Sequence, residues 1–124
     1  MHDRPNAQEL LATLADWLDR EAIPSLDGGA AYRARVAANL AHILEREARL
    51  GPAALERERA SIEALVGPGG SLEELNARLS GRLLDGTGGV EFERRALRAL
   101  WEIARAKLAI ARPGYEAYDA SRER

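Results

Sequence analysis

The run from Tyr32 to Glu47 repeats apolar residues at the period of an α-helix, with a polar stripe beside them. Tyr32, Val36, Leu40, Ile43 and Leu44 share one face, while Arg35, Asn39, His42 and Arg46 fall within roughly 40° of one another. The spacing predicts a helix whose apolar face meets a core and whose edge carries stacked donors and acceptors. Elsewhere the apolar content of 46% comes mainly from Ala and Leu, both strong helix formers, and aromatics supply only 5%. The class that follows is all-α. A chain of 124 residues is expected to form a single helical domain over 1–124, with 113–124 as a flexible tail.

Gly and Pro punctuate five predicted helices. Asn6 followed by Glu9 reads as a capping box that opens a first helix, from Ala7 to Ala22, through Leu10, Leu14, Trp17 and Leu18. After the turn Asp27-Gly28-Gly29, the Tyr32 helix runs to Gly51-Pro52. Pro52 suits the first position of a third helix with Leu55, Ile62, Leu65 and Val66 on its apolar side. Gly67-Pro68-Gly69-Gly70 ends it. Ser71 with Glu74 then forms a second capping box for a fourth helix through Leu72, Leu75, Leu79 and Leu83. The loop Asp85 to Gly89 leads into a fifth, where Phe92, Ala96, Leu97, Leu100, Trp101, Ala104, Leu108 and Ala111 make a wide apolar face. The expected core contains Leu14, Val36, Leu40, Ile62, Leu79, Leu97, Leu100 and Leu108, and Trp17 and Trp101 are read as core residues or interface anchors.

Two polar constellations are candidates for recognition. Arg35, Asn39, His42 and Arg46 offer forked donors and an amide to an anion, a carbonyl or a partner's backbone. The plainer reading gives Arg35 and Asn39 an internal role, tying helix ends and loops, and leaves His42 and Arg46 facing outward. Glu47 shares the angular line of Val36 and Leu40, so it is expected to face inward and meet an Arg from another helix. On the fifth helix Arg94, Arg98, Arg105 and Arg112 form a basic row opposite the apolar face, suited to phosphates, to an acidic partner or to solvent.

Several chemistries find no footing. His42 and Glu45 have the i, i+3 relation of metal-binding bundles, but the only other histidine is His2, so no metal site is expected. There is no cysteine, no nucleophile elbow and no nucleotide loop, which predicts no catalytic set and no cofactor. With Lys+Arg 18 against Asp+Glu 20, the net charge of −2 gives no general attraction to nucleic acid or anionic lipid. No stretch approaches the ~20 apolar residues of a membrane span, and Met1 to Asn6 lacks the pattern of a signal peptide. The expected setting is cytoplasmic.

The pattern Pro5-x-Ala7-x-Glu9-Leu10-Leu11, Pro24-x-Leu26-x-Gly28, Arg35-Val36-Ala37-Ala38-Asn39 and Arg46-Glu47 resembles a bacterial family of short helical proteins of unknown function. Arg35 to Asn39 is its most specific piece. Members are typically encoded beside an aminoglycoside-phosphotransferase-like kinase and an acyl-CoA dehydrogenase, and some look like accessory subunits of the kinase that phosphorylates hydroxyacyl-CoA. The resemblance implies a partner more than a reaction. The chain itself has neither the catalytic-loop His-x-Asp nor the nucleotide loop of a kinase. The expectation is a non-catalytic accessory or scaffold subunit of such a kinase, in an acyl-CoA dehydrogenase context, with self-association left open. The alternatives are a small-ligand or acyl-CoA binder, which needs a cavity beside an Arg, and a small bundle enzyme using His42 with Glu45 or Glu47.

Overall fold

The computed structural model describes residues 5–113, and the expectation for the tail falls outside them apart from Pro113. Among the described residues the chain forms four α-helices and no strand: α1 (Ala7–Trp17), α2 (Gly28–Val66), α3 (Leu72–Asp85) and α4 (Gly89–Ala111). The all-α class holds, with four helices where five were expected. The chain divides into two compact units, Met1–Pro52 and Ala53–Arg124.

The missing helix boundary is the one read at Gly51-Pro52, because α2 continues through Pro52. An internal proline removes one amide donor, and its ring crowds the residue before it. Here that residue is glycine, whose missing Cβ removes part of the clash, and the alanines at 53 and 54 favour continued helix.

In the N-terminal unit the Asn6 capping box is complete. The Glu9 amide donates to Asn6 Oδ1 at 2.9 Å, and the Asn6 amide donates to Glu9 Oε1 at 3.3 Å. Beyond α1 the chain widens into a π turn over Leu18–Ala22 and tightens into a 3₁₀ turn over Ile23–Ser25. Pro24 has no amide to donate, so the helix cannot keep its regular ladder there. The Ser25 hydroxyl instead donates to the Glu21 carbonyl at 2.7 Å and to the Ala22 carbonyl at 3.1 Å. The buried side chains of this unit are alanines: Ala15, Ala22, Ala31, Ala38 and Ala41. Polar ties link the first helical segment to α2. Gln8 Nε2 donates to Glu45 Oε2 at 3.1 Å, and His42 Nε2 lies 2.8 Å from Asp19 Oδ2.

The C-terminal unit has a denser core of Ile62, Leu65, Leu75, Leu79, Phe92 and Ala96, with Val66, Leu72, Leu83, Ala99 and Ile103 packed against it. Ser71 and Glu74 cap α3 reciprocally, at 3.1 and 2.8 Å. Gly86 closes α3 in the left-handed conformation at φ 69°, where an L side chain would be strained.

Of the eight residues expected in the core, Ile62 and Leu79 are buried and Leu108 is half-buried. Leu14, Val36, Leu40, Leu97 and Leu100 are exposed, which corrects the reading. On α2 the reason is a second, smaller-residue stripe at the same period, Ala31, Ala38 and Ala41, which supplies the buried face in place of Val36 and Leu40. On α4 the core is met by a different apolar stripe, Phe92, Ala96, Ala99 and Ile103, which leaves Leu97 outside.

Candidate functional site

Along the N-terminal half of α2, the buried alanines 31, 38 and 41 lie roughly opposite Tyr32, Val36, Leu40 and Leu44 at 100° per residue. Small side chains let helix backbones approach closely, so the alanine stripe packs and the bulky stripe turns outward. Tyr32 is 64% exposed and Leu40 is 54% exposed. Solvated side chains of that size on one helix face make it a candidate interaction surface.

The polar stripe borders this surface. Arg35 and Asn39 are exposed, which corrects the expectation of an internal role for them. His42 is half-buried against Asp19, which the π turn brings to it. Arg46 is half-buried. Glu45 is bound by Arg49, whose Nε donates to Oε2 at 3.0 Å and whose Nη2 donates to Oε1 at 3.3 Å. The hydrogen bond from Arg49, supported by its charge and by Gln8, holds the Glu45 carboxyl below the usual carboxylate range. Glu47 is exposed and not inward-facing, because its whole angular line with Val36 and Leu40 faces out.

The structure adds a buried carboxylate, Glu58, which is 8% exposed and lies 3.9 Å from Lys107 Nζ. Its signal lay in spacing, since Glu58 stands one turn before the core residue Ile62.

In the C-terminal unit α4 repeats the two-faced pattern. Phe92, Ala96, Ala99 and Ile103 turn toward the core, and Val90, Leu97 and Trp101 form an outward stripe roughly 150° away. Leu97 is 69% exposed. Leu108, half-buried, continues that stripe at helical spacing. Arg94, Arg98 and Arg105 run beside it. Arg94 makes an exposed pair with Glu91 at 3.6 Å, and Arg105 is half-buried. Arg98 edges a shallow groove of about 300 Å³ between α2 and α4, with Ser61, Ala64, Leu65, Arg95, Ala99 and Glu102. The groove is at the small end for a ligand pocket and open to solvent, so it is a poor receptacle for an acyl chain.

Arginines from three helices serve the end of α2 and the loop that follows it. Arg82 Nη1 donates to the Leu65 carbonyl at 2.9 Å and its guanidinium stacks 3.9 Å from the Phe92 ring centroid. Arg78 donates to the Gly67 and Gly69 carbonyls at 3.1 and 2.7 Å, Arg59 to Gly70 at 3.0 Å, and Arg95 to Ala64 at 3.5 Å. Terminal carbonyls carry partial negative charge, and cations there satisfy both charge and hydrogen bonding. These arginines are structural.

Among the described residues no group of three or more His, Asp or Glu side chains could hold a metal ion, and no helix is long and apolar enough to cross a membrane. No curated protein and no solved structure matches the chain. A family model described as Domain of unknown function (DUF6285) matches residues 24–115, most of the chain, and the chain belongs to that family.

Proposed function

We propose that this member of the DUF6285 family is a non-catalytic accessory or scaffold subunit of a phosphotransferase-like kinase acting in acyl-CoA, and specifically hydroxyacyl-CoA, metabolism, in the cytoplasm. The observation that carries the subunit reading is the outward stripe of α4, where Val90, Leu97 and Trp101 are exposed beside Arg94, Arg98 and Arg105. Apolar side chains with a basic border are the usual make-up of a docking surface, with Trp and Arg enriched among the residues that anchor it. The kinase is named on the sequence resemblance, and the missing nucleotide and catalytic-loop motifs suit a non-catalytic member of the pair.

An acid–base role for His42 and Glu45 is less well supported. Glu45 is committed to Arg49, and a carboxyl held low is the opposite of what a general acid near neutral pH requires. The test is to mix the protein with a phosphotransferase-like kinase from the same organism, follow co-elution at tens of micromolar, and assay kinase turnover. Leu97→Asp and Arg98→Glu are expected to abolish co-elution while leaving the far-ultraviolet spectrum unchanged. Separate elution of the wild-type proteins, with turnover unaltered, would overturn the proposal.

A further inference from the structure

The outward face of the N-terminal half of α2 is built to meet itself. Leu40 stands at its centre, with Val36 and Leu44 four residues to either side. Seven residues out, at two turns, stand Arg33 on one side and Glu47 on the other, within about 20° of the angular position of Leu40. All five are exposed. A two-fold axis through Leu40 that sets a second α2 antiparallel brings Leu40 onto Leu40, Val36 onto Leu44, and each Arg33 onto the other copy's Glu47. Tyr32, the most exposed side chain of the stripe at 64%, then lies over the small Ala48. A parallel arrangement would set Glu47 against Glu47 and Arg33 against Arg33. The charge order therefore selects the antiparallel one.

The surface available agrees with this occupant. Tyr32, Val36, Leu40 and Leu44, each about half exposed, present on the order of 400 Å² of apolar surface, close to the apolar share of the ~800 Å² per partner that a stable interface buries. We infer that this face is the interface of a symmetric homodimer, held by a leucine-centred apolar strip and two reciprocal Arg33–Glu47 ion pairs between copies. The Arg expected to meet Glu47 comes from a second copy of the chain. This interface lies on the N-terminal unit and does not depend on what binds α4.

Sedimentation velocity on the full chain, from about 1 to 100 µM, tests it. The wild type is expected to sediment at twice 13.5 kDa. Leu40→Asp should give a monomer, and Arg33→Glu or Glu47→Arg alone should weaken the dimer at least tenfold. The double variant R33E/E47R restores opposite charges across the axis and should recover the dimer, which a merely unfolded variant would not do. A monomeric wild type across the range, a dimer indifferent to these substitutions, or a double variant that stays monomeric would each overturn the inference. Kinase co-elution reads the other proposal separately.

Discussion

Leu75→Ala and Leu97→Ala remove the same atoms from neighbouring helices of one unit, and their costs should differ severalfold. Leu75 on α3 is 0% exposed and sits inside the core cluster with Ile62, Leu79 and Phe92. Its truncation loses the transfer free energy of the buried carbons and leaves a cavity, together about 3 to 5 kcal/mol. Leu97 on α4 is 69% exposed, so about a third of its surface is removed from water. Three carbons at about 0.8 kcal/mol each, scaled to that third, give roughly 0.8 kcal/mol. No cavity forms, and the better helix propensity of Ala returns a few tenths, for a net cost of about 0.5 kcal/mol. Urea denaturation followed by circular dichroism reads both. With a slope of about 1 to 3 kcal/mol per molar, Leu75→Ala should move the midpoint by more than about 1 M and Leu97→Ala by a few tenths. Equal losses would refute the orientation assigned to α4, and with it the docking surface. A lowered slope for Leu97→Ala would point to a compacted denatured state.

Two further outcomes follow from the polar groups. The amide and hydroxyl of Ser71 hold the Glu74 carboxyl below its ordinary value of 4.5, so the folded form binds that proton less readily than the unfolded chain. Its contribution is complete above that value and is lost as pH falls through the lowered one; melting curves from pH 7 to about 3 should therefore decline less steeply for Glu74→Gln than for wild type, and identical slopes would refute the assignment. Asn39→Ala at an exposed position should shift the unfolding midpoint by less than about 0.5 kcal/mol, whereas a loss of about 1 to 3 kcal/mol would show that the amide satisfies a buried partner after all.

The helical class, both capping boxes and the starts of α1, α3 and α4 were legible because each rests on chemistry local to a few residues, whereas α2 begins at Gly28, inside the stretch read as a turn. Asn6 with Glu9 and Ser71 with Glu74 need nothing from the rest of the chain to cap a helix. Pro52 misled for a related reason. Proline after glycine is a strong local stop signal, yet a helix can run through it when the residue before lacks a Cβ and the flanks favour helix. The Arg contacts around the end of α2 were not legible, since Arg59, Arg78, Arg82 and Arg95 come from three helices and only the fold brings them to carbonyls between Ala64 and Gly70.

The inversion of α2 has a deeper cause than a missed period. A helix with leucines on one side and alanines on the other is apolar all round, and the 3.6-residue period fits both stripes equally. Ranking by bulk chooses the leucines, because each buries four side-chain carbons where an alanine buries one. Inside a single chain the contest is decided by how closely backbones can approach, and Ala15, Ala31, Ala38 and Ala41 win it in the N-terminal unit. The leucines retain their transfer free energy, unspent within the chain, and that residue of driving force is what a second chain can use. Arg33 and Glu47 supply the direction that leucines alone cannot specify: apolar contact tolerates many registers, whereas charges of opposite sign at equal distances from Leu40 disfavour the parallel one.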